Sequence, residues 1–229
     1  MAPMSDEVPS RGDRGWLADW RRRVSELYAE VRIVADSDPA AAWEDWRTER
    51  ERLYRSHPQS PVPAALRDAF RAHHWPYDER LRFTVRLEPA VAAPPPDAPG
   101  SGFGTAIAPL ALPNSGAESP AFDRIGRVAF DLPDGSADLP VFWMRGYAGG
   151  VFLPFGDATN GTETYGAGRY VLDTAKSADL GGDPAQGTLV VDLNFSFQPS
   201  CAFDPKWACP LAPPESRLRT RIEAGERLR

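Results

Sequence analysis

The stretch RVAFDLPDGSADLPVFWMR, residues 127–145, decides the fold class. Apolar and polar side chains alternate on both sides of Pro133-Asp134-Gly135, and this alternation is typical of half-buried strands joined by a turn. We therefore predict a β-hairpin with strands at 127–132 and 139–145.

Further strand patterns surround this hairpin. They occupy residues 81–87, 151–155, 169–174 and 188–197. Short strands at fairly regular spacing, with turns and no helices between the later ones, predict a mainly antiparallel sheet that closes into a β barrel or barrel-like sandwich.

The chain before this β-rich part has a helical pattern. Apolar residues recur every three or four positions from Trp16 to Val31, and Asp38 with Pro39 is a typical start of a second helix. A short third helix is expected within residues 64–70. We expect these two or three helices to pack on the sheet, which makes the protein α+β overall.

These patterns divide the chain into three parts. A disordered N-terminus, 1–15, precedes a helical segment, 16–75, and a β-rich domain, 76–229. A loop with five prolines at 88–100 interrupts this domain. An irregular C-terminal arm, which includes residues 199–214, is expected to wrap the sheet.

Composition argues against several classes of protein. With 42% hydrophobic and 10% aromatic residues the chain can bury a core, and its formal net charge of -6 argues against nucleic-acid binding. The sequence has neither the apolar run of a secretory signal nor one long enough to span a membrane. We therefore expect a soluble cytoplasmic protein with no membrane partner, and leave oligomer formation open. The use of arginine in place of nearly all lysine indicates a GC-rich genome.

The segment DATNGTETY, residues 157–165, is too polar to form a core strand, yet it lies between two predicted strands. A polar loop held by a β scaffold is a common place for binding and catalytic groups. We predict a ligand site in this loop and in the strands near it. Its polar candidates are Asp157, Thr159, Asn160, Glu163, Tyr165, Arg169, Tyr170, Asp192 and Asn194, with Trp143, Phe152 and Phe155 as an apolar wall.

The carboxylates of this region have two interpretations. Asp157 and Glu163 are the candidate catalytic groups, because paired carboxylates can perform acid–base chemistry or bind a cation. Alternatively, Asp157 and Asn160 form turns, and Asp192 flanks a strand and pairs with an arginine. The loop lacks the EF-hand pattern, since Gly168 stands where its twelfth position requires glutamate. We predict neither a metal nor a cofactor.

Arg169 also has two interpretations. Its guanidinium group offers five donors in a fixed geometry, which suits a carboxylate or phosphate ligand. The alternative is a structural clamp on Asp157 or Glu163 that holds the loop in shape. The hydroxyl groups of Tyr165 and Tyr170 fit either role.

Cys201 and Cys209 lie eight positions apart in the C-terminal arm. No nearby histidine or third cysteine completes a zinc site, and the three histidines are distant in sequence from a cysteine that needs a base. A packed thiol pair or a disulfide is therefore expected. His73-His74 is explained more simply by a turn before a strand than by a metal site.

Spaced motifs run through the C-terminal part of the chain. They are Phe142-Trp143, Gly149-Gly150, Phe155-x-Asp157-x-Thr159-x-Gly161-x-Glu163-Thr164-Tyr165-Gly166, Gly168-Arg169-Tyr170, Asp192-x-Asn194, Pro199-x-Cys201, Cys209-Pro210-Leu211-x-Pro213, Glu215-x-Arg217-Leu218 and Ala224-Gly225-Glu226. In this order they resemble a bacterial family, domain-of-unknown-function family 1684, with a weaker resemblance over Pro76 to Phe83. Ser216 stands where that pattern has asparagine, and Ser196-Phe197 where it has alanine and tyrosine. The resemblance implies no function, because the family is named for lacking one.

The sequence leaves three functional hypotheses. The leading one is a cytoplasmic protein that binds a small polar or anionic molecule at the mouth of the barrel. The second is a hydrolase or isomerase in which Asp157 or Glu163 acts as base and Arg169 stabilises developing charge. It is compatible with the absence of the nucleophile-elbow, Walker, zinc-protease and dinucleotide-binding motifs. The third is a scaffold protein that presents Trp16 and Trp20 to a partner.

Overall fold

The computed structural model describes residues 11–90, 110–116, 120–147 and 149–228. Residues 1–10 of the predicted disordered N-terminus lie outside the described residues. Residues 91–100 of the predicted proline-rich loop also lie outside the described residues.

Two helices precede the sheets, α1 at Arg11–Val34 and α2 at Pro39–Ser56. The carboxylate of Asp38 caps α2 as predicted, since it accepts a hydrogen bond from the backbone N–H of Ala41 (2.9 Å). Residues 11–15, for which the sequence predicts disorder, form the start of α1. The predicted third helix is reduced to one 3₁₀ turn, Ala64–Leu66. Neither described α-helix is long and apolar enough to cross a membrane.

Ten strands are described, most of them short. They are β1 (His73–His74), β2 (Arg82–Arg86), β3 (Glu88–Pro89), β4 (Leu110–Ala111), β5 (Ala121–Leu132), β6 (Gly135–Met144), β7 (Gly150–Phe155), β8 (Arg169–Asp173), β9 (Thr188–Asp192) and β10 (Glu226–Arg227). The main sheet is antiparallel, with the order β3-β5-β6-β7-β8 and with β4 also paired to β5. Two antiparallel pairs stand apart from it, β1 with β10 and β2 with β9.

The predicted hairpin is the centre of the main sheet. β5 and β6 pair from Phe122↔Met144 to Leu132↔Gly135, with a bulge between Arg124 and Gly126. Gly126 lies directly against β3, because a Cβ atom built on it would be 2.3 Å from the backbone oxygen of Glu88. A larger residue at this position would push β3 off the sheet.

The predicted barrel is not confirmed, because the described strands form open sheets. β9 ends at Asp192, where the chain turns into the 3₁₀ segment Leu193–Phe195, five residues short of the predicted strand end at 197. Beyond this turn the described chain pairs with β8 through one antiparallel bridge, from Phe197 to Tyr170. A strand interrupted by this turn cannot continue the ladder that closure requires, so the protein is α+β with antiparallel sheets.

One core joins the helices to the sheets. Trp46 of α2 has no exposed surface and packs on Phe195, with 5.2 Å between ring centroids. Phe83 of β2 stacks on Phe130 of β5 at 4.4 Å, so the β2–β9 pair packs on the main sheet. Trp16 is 48% exposed, in contrast to the buried tryptophans of α2.

His74 is a partly buried titratable group at the helix–sheet interface. Its ring contacts Trp43 and Trp46, at 6.1 and 5.7 Å between centroids, and neither ring nitrogen has a hydrogen-bond partner. Burial lowers the pKa of His74 to about 4, while the negative charge of Glu226 opposes this shift. An unfolded chain takes up the proton near pH 6.5. The folded state therefore loses stability as the pH falls from 6.5 towards 4.

We expect His74→Leu to remove this pH dependence, since it fills the same apolar site without a titratable group. In the wild type the contribution amounts to at most about 1.4 kcal/mol of unfolding free energy per pH unit. Urea denaturation at pH 7, 6, 5 and 4.5 measures the slope. His73→Leu, at an exposed neighbouring position, is the control and should keep the wild-type slope. Equal slopes in wild type and His74→Leu would contradict the prediction.

Candidate functional site

The predicted site loop, residues 157–168, closes on itself through its polar side chains. Asp157 accepts a hydrogen bond from the backbone N–H of Thr159 (2.6 Å), and the Asn160 side-chain oxygen accepts one from the N–H of Asp157 (2.7 Å). The Asn160 amide donates to the hydroxyl of Thr164 (2.8 Å). Thr159 and Thr164 are fully buried and hydrogen-bond each other (2.9 Å). These groups bind one another and turn away from solvent.

Arg169 is fully buried and its two terminal nitrogens are occupied within the protein. Nη2 donates to Asp157 Oδ2 (2.7 Å) and to the carbonyl of Ile222 (3.0 Å). Nη1 donates to the carbonyls of Ala224 and Glu226. Burial lowers the pKa of Arg169, and the charge of Asp157 opposes this. This geometry matches the structural-clamp interpretation, with Asp157 as the clamped residue.

The two candidate catalytic carboxylates bind different arginines. Glu163 pairs with Arg221 at the surface (2.6 Å), whereas Asp157 pairs with Arg169 in the interior. The structure does not place Asp157 and Glu163 together as an acid–base pair. Within the described residues, no group of three His, Cys, Asp or Glu side chains is placed to hold a metal ion.

Asp192 and Asn194 form a second buried network, directed at residues 77–82. Asn194 makes two hydrogen bonds with the backbone of Asp78, accepting from its N–H (2.9 Å) and donating to its carbonyl (2.8 Å). Asp192 accepts from the hydroxyl of Tyr77 (3.3 Å) and from Arg82 (3.2 Å). Burial raises the pKa of Asp192, and hydrogen bonds from Asn194 and Arg82 oppose the rise.

The two candidate tyrosines turn towards the C-terminal arm. The hydroxyl of Tyr170 donates to the carbonyl of Pro210. Tyr165 is half-buried beside Cys201, and burial raises its pKa to about 12. Both tyrosines therefore contact the arm that passes over this edge of the sheet.

The predicted aromatic residues do not form one wall. Phe155 lies in the main core under the guanidinium group of Arg169, at 5.1 Å. Phe152 belongs to a second cluster, where its ring contacts Tyr170 at 4.7 Å. Trp143 is 42% exposed on β6.

A cleft of about 760 Å³ lies beside these two networks. Residues 75–81 and 220–223 line it, together with the hairpin turn at 132–134 and Ala40. We call this space the 75/220 cleft. Trp75 and Tyr77 give it two aromatic side chains. None of the ligand-binding candidates predicted from the sequence lines it.

Two of those candidates, Glu163 and Arg169, contact the wall at 220–223. Arg169 binds the carbonyl of Ile222, Glu163 binds the side chain of Arg221, and the N–H of Ala158 donates to the carbonyl of Thr220 (3.3 Å). Because the loop contacts three successive residues, it fixes this wall of the cleft.

The opposite wall, 75–81, is fixed by the network of Asp192 and Asn194. Arg169 also lies over the ring of Trp75, at 5.4 Å. The residues His73-His74-Trp75-Pro76 have the pattern of a turn before a strand, and this pattern by itself does not indicate a site. The weak family motif beginning at Pro76 is the signal that pointed to this segment.

Comparisons with known proteins agree with the sequence resemblance. A family described as Protein of unknown function (DUF1684) matches residues 70–227. The solution NMR structure of an uncharacterized protein of Haloarcula marismortui is similar to this chain at 26% sequence identity and a TM-score of 0.54. The similarity covers 81% of this chain and 95% of that one. No curated protein matches the chain.

We expect Arg169→Met to lower the unfolding free energy by about 3–5 kcal/mol, because it leaves the buried Asp157 carboxylate unpaired. Arg221→Met is the matched control. It breaks a pair whose side chains are 48% and 37% exposed, and such surface pairs contribute less than about 1 kcal/mol. Urea denaturation measures both.

The double variant Asp157→Asn/Arg169→Met tests how much of the stability loss comes from the unpaired charge of Asp157 and how much from the missing arginine side chain. It removes both buried charges, so it should be more stable than Arg169→Met alone. Similar losses for Arg169→Met and Arg221→Met would show that the buried pair has no special role in stability.

Proposed function

We propose that this chain, which belongs to the family of proteins of unknown function DUF1684, binds a small polar molecule in the 75/220 cleft. The observation that carries the proposal is the cleft itself, about 760 Å³ in volume and lined by aromatic and charged side chains. Small-molecule sites commonly occupy about 300–1,000 Å³ and combine apolar or aromatic walls with a few polar groups.

The charges of the cleft favour a neutral or cationic ligand. Four carboxylates and two guanidinium groups line it, namely Asp78, Glu79, Asp134 and Glu223 with Arg80 and Arg221. Both arginines are already paired, Arg80 with Asp78 (2.7 Å) and Arg221 with Glu163 (2.6 Å) and Glu223 (2.8 Å), so Glu79 and Asp134 carry the charge that these pairs leave over. The excess negative charge attracts amines and tolerates hydroxyl groups, but repels an anion.

The anionic ligand considered from the sequence depended on Arg169. That guanidinium group is enclosed, and its terminal nitrogens bind Asp157 and backbone carbonyls. A ligand carboxylate or phosphate would have to displace Asp157 and reach a fully buried site. We therefore place the ligand in the cleft and give the polar loop a supporting role.

Both walls of the cleft are held before any ligand arrives. Two hydrogen bonds with Asn194 fix the backbone of Asp78. Hydrogen bonds from Arg169 and from the N–H of Ala158 fix the backbone of Ile222 and Thr220. Binding then does not have to order these segments, so less of the interaction free energy is lost to conformational entropy.

Thermal denaturation in the presence of putrescine, glucose or succinate tests the site and its charge. We expect putrescine or glucose, and not succinate, to raise the midpoint, since a ligand at 100 times its Kd adds about 2.7 kcal/mol of stability. Glu79→Gln/Asp134→Asn removes two exposed cleft carboxylates and should weaken amine binding at least about tenfold, or about 1.4 kcal/mol.

The control for this variant is Glu30→Gln/Asp36→Asn, which makes the same charge change at exposed positions of α1 and just beyond it. It should bind as the wild type does. Native mass spectrometry of protein purified gently from its own host detects bound ligands other than these three compounds. The proposal is refuted if none of the three compounds stabilises the protein and mass spectrometry finds no bound molecule that is absent from the cleft variant.

A further inference from the structure

Cys201 and Cys209 lie in contact within the C-terminal arm. Both are free thiols, 7% and 4% exposed. The backbone N–H of Cys201 donates to the sulfur of Cys209 (3.3 Å), so the Cys209 side chain lies directly against Cys201. Two cysteines this close can form a disulfide when rotation of their side chains brings the sulfur atoms to bonding distance.

The two thiols have different surroundings. A hydrogen bond from Cys209 lowers the pKa of Cys201, burial opposes this, and hydrogen bonds from Ser115 and Tyr165 lower it further. The same thiol–thiol hydrogen bond, together with burial, raises the pKa of Cys209. The first of the two thiols to lose its proton is therefore Cys201, where hydroxyl groups stabilise the thiolate.

A small cavity reaches this pair from the side of Cys209. It has a volume of about 90 Å³, and its lining includes Cys209, Tyr170, Lys176 and Phe197. About 10–15 Å³ on this measure holds one water molecule, so the cavity has room for hydrogen peroxide. The Lys176 side chain at its edge is 65% exposed and pairs with Asp173 (3.2 Å).

We propose that Cys201 and Cys209 form a reactive dithiol that hydrogen peroxide oxidises to a disulfide. The sulfur of Cys201 attacks one peroxide oxygen; an S–O bond forms, the O–O bond breaks, and the leaving oxygen departs as water after taking a proton. The sulfur of Cys209 then attacks Cys201; an S–S bond forms, the S–O bond breaks, and the hydroxyl leaves as water with the proton of Cys209. Two thiols lose two electrons and two protons, and one hydrogen peroxide becomes two waters.

The disulfide would fix a segment that bridges the two parts of the fold. Within the loop between the cysteines, Phe203 packs on Tyr54 of α2 (5.4 Å), and Trp207 donates to the carbonyl of Pro61 (3.2 Å). Just beyond Cys209, Pro210 accepts the hydrogen bond of Tyr170 in β8. Oxidation therefore constrains the connection between the helical segment and the main sheet.

Intact-mass spectrometry tests the proposal on the full chain. The reduced, folded protein is treated with equimolar hydrogen peroxide, and remaining thiols are then alkylated with iodoacetamide under denaturing conditions. We expect a loss of about 2 Da with no alkylation, reversed by dithiothreitol. Two alkylated thiols in the monomer, or a disulfide-linked dimer in place of the internal bond, would overturn the proposal.

Two variants assign the roles. Cys209→Ser should stop at Cys201 and gain about 16 Da as a sulfenic acid that dimedone traps, whereas Cys201→Ser should gain no oxygen in the same time. Tyr165→Phe keeps the ring and removes one donor, so disulfide formation at pH 7 should slow several-fold and its pH–rate midpoint should rise. An unchanged rate and midpoint in Tyr165→Phe would overturn the assignment of Cys201 as the attacking thiol.

Discussion

The buried ion pair between Arg169 and Asp157 is the interaction on which the rest of the structure depends. Both side chains are withdrawn from water, and moving an ion into a protein interior costs several kcal/mol even after relaxation. Arg169 offsets this cost by also donating to the carbonyls of Ile222, Ala224 and Glu226. One guanidinium group thereby joins the polar loop, β8 and the C-terminal arm.

The C-terminal arm has little regular structure of its own and is held by buried charges. β10 contains two residues, and its Glu226 is almost fully buried. The carboxylate of Glu226 accepts hydrogen bonds from Arg50 of α2 (3.1 Å) and from the N–H of Gln198 (2.8 Å). Arg50 therefore binds the arm from the helical side and Arg169 binds it from the sheet side. Because each charge depends on its partner, the helices, the arm and the sheet are coupled.

This arrangement separates the residues that build the 75/220 cleft from those that line it. Asp157, Arg169, Asp192 and Asn194 look like site residues in the sequence because they are polar and lie at strand ends. In the structure all four are buried. Arg169 and Asn194 bind the backbones of the two walls, and Asp157 and Asp192 bind the side chains of Arg169 and Asn194 in turn. Trp75 and Tyr77, which line the cleft, lie more than 130 positions away in sequence from the wall at 220–223. Networks that hold a site are as polar as the site itself, so composition alone does not distinguish the two.

The sequence by itself determined the local elements, because these depend on neighbouring residues. The period of the apolar residues gave the two helices, Asp38 gave the start of α2, and the turn at Pro133-Asp134 gave the central hairpin. The spaced motifs also gave the family. Only the tertiary structure decided that the sheets stay open, that Arg169 binds Asp157, and that the cleft lies beside the polar loop. These features depend on which distant segments meet, and an isolated polar or alternating pattern is compatible with many such pairings.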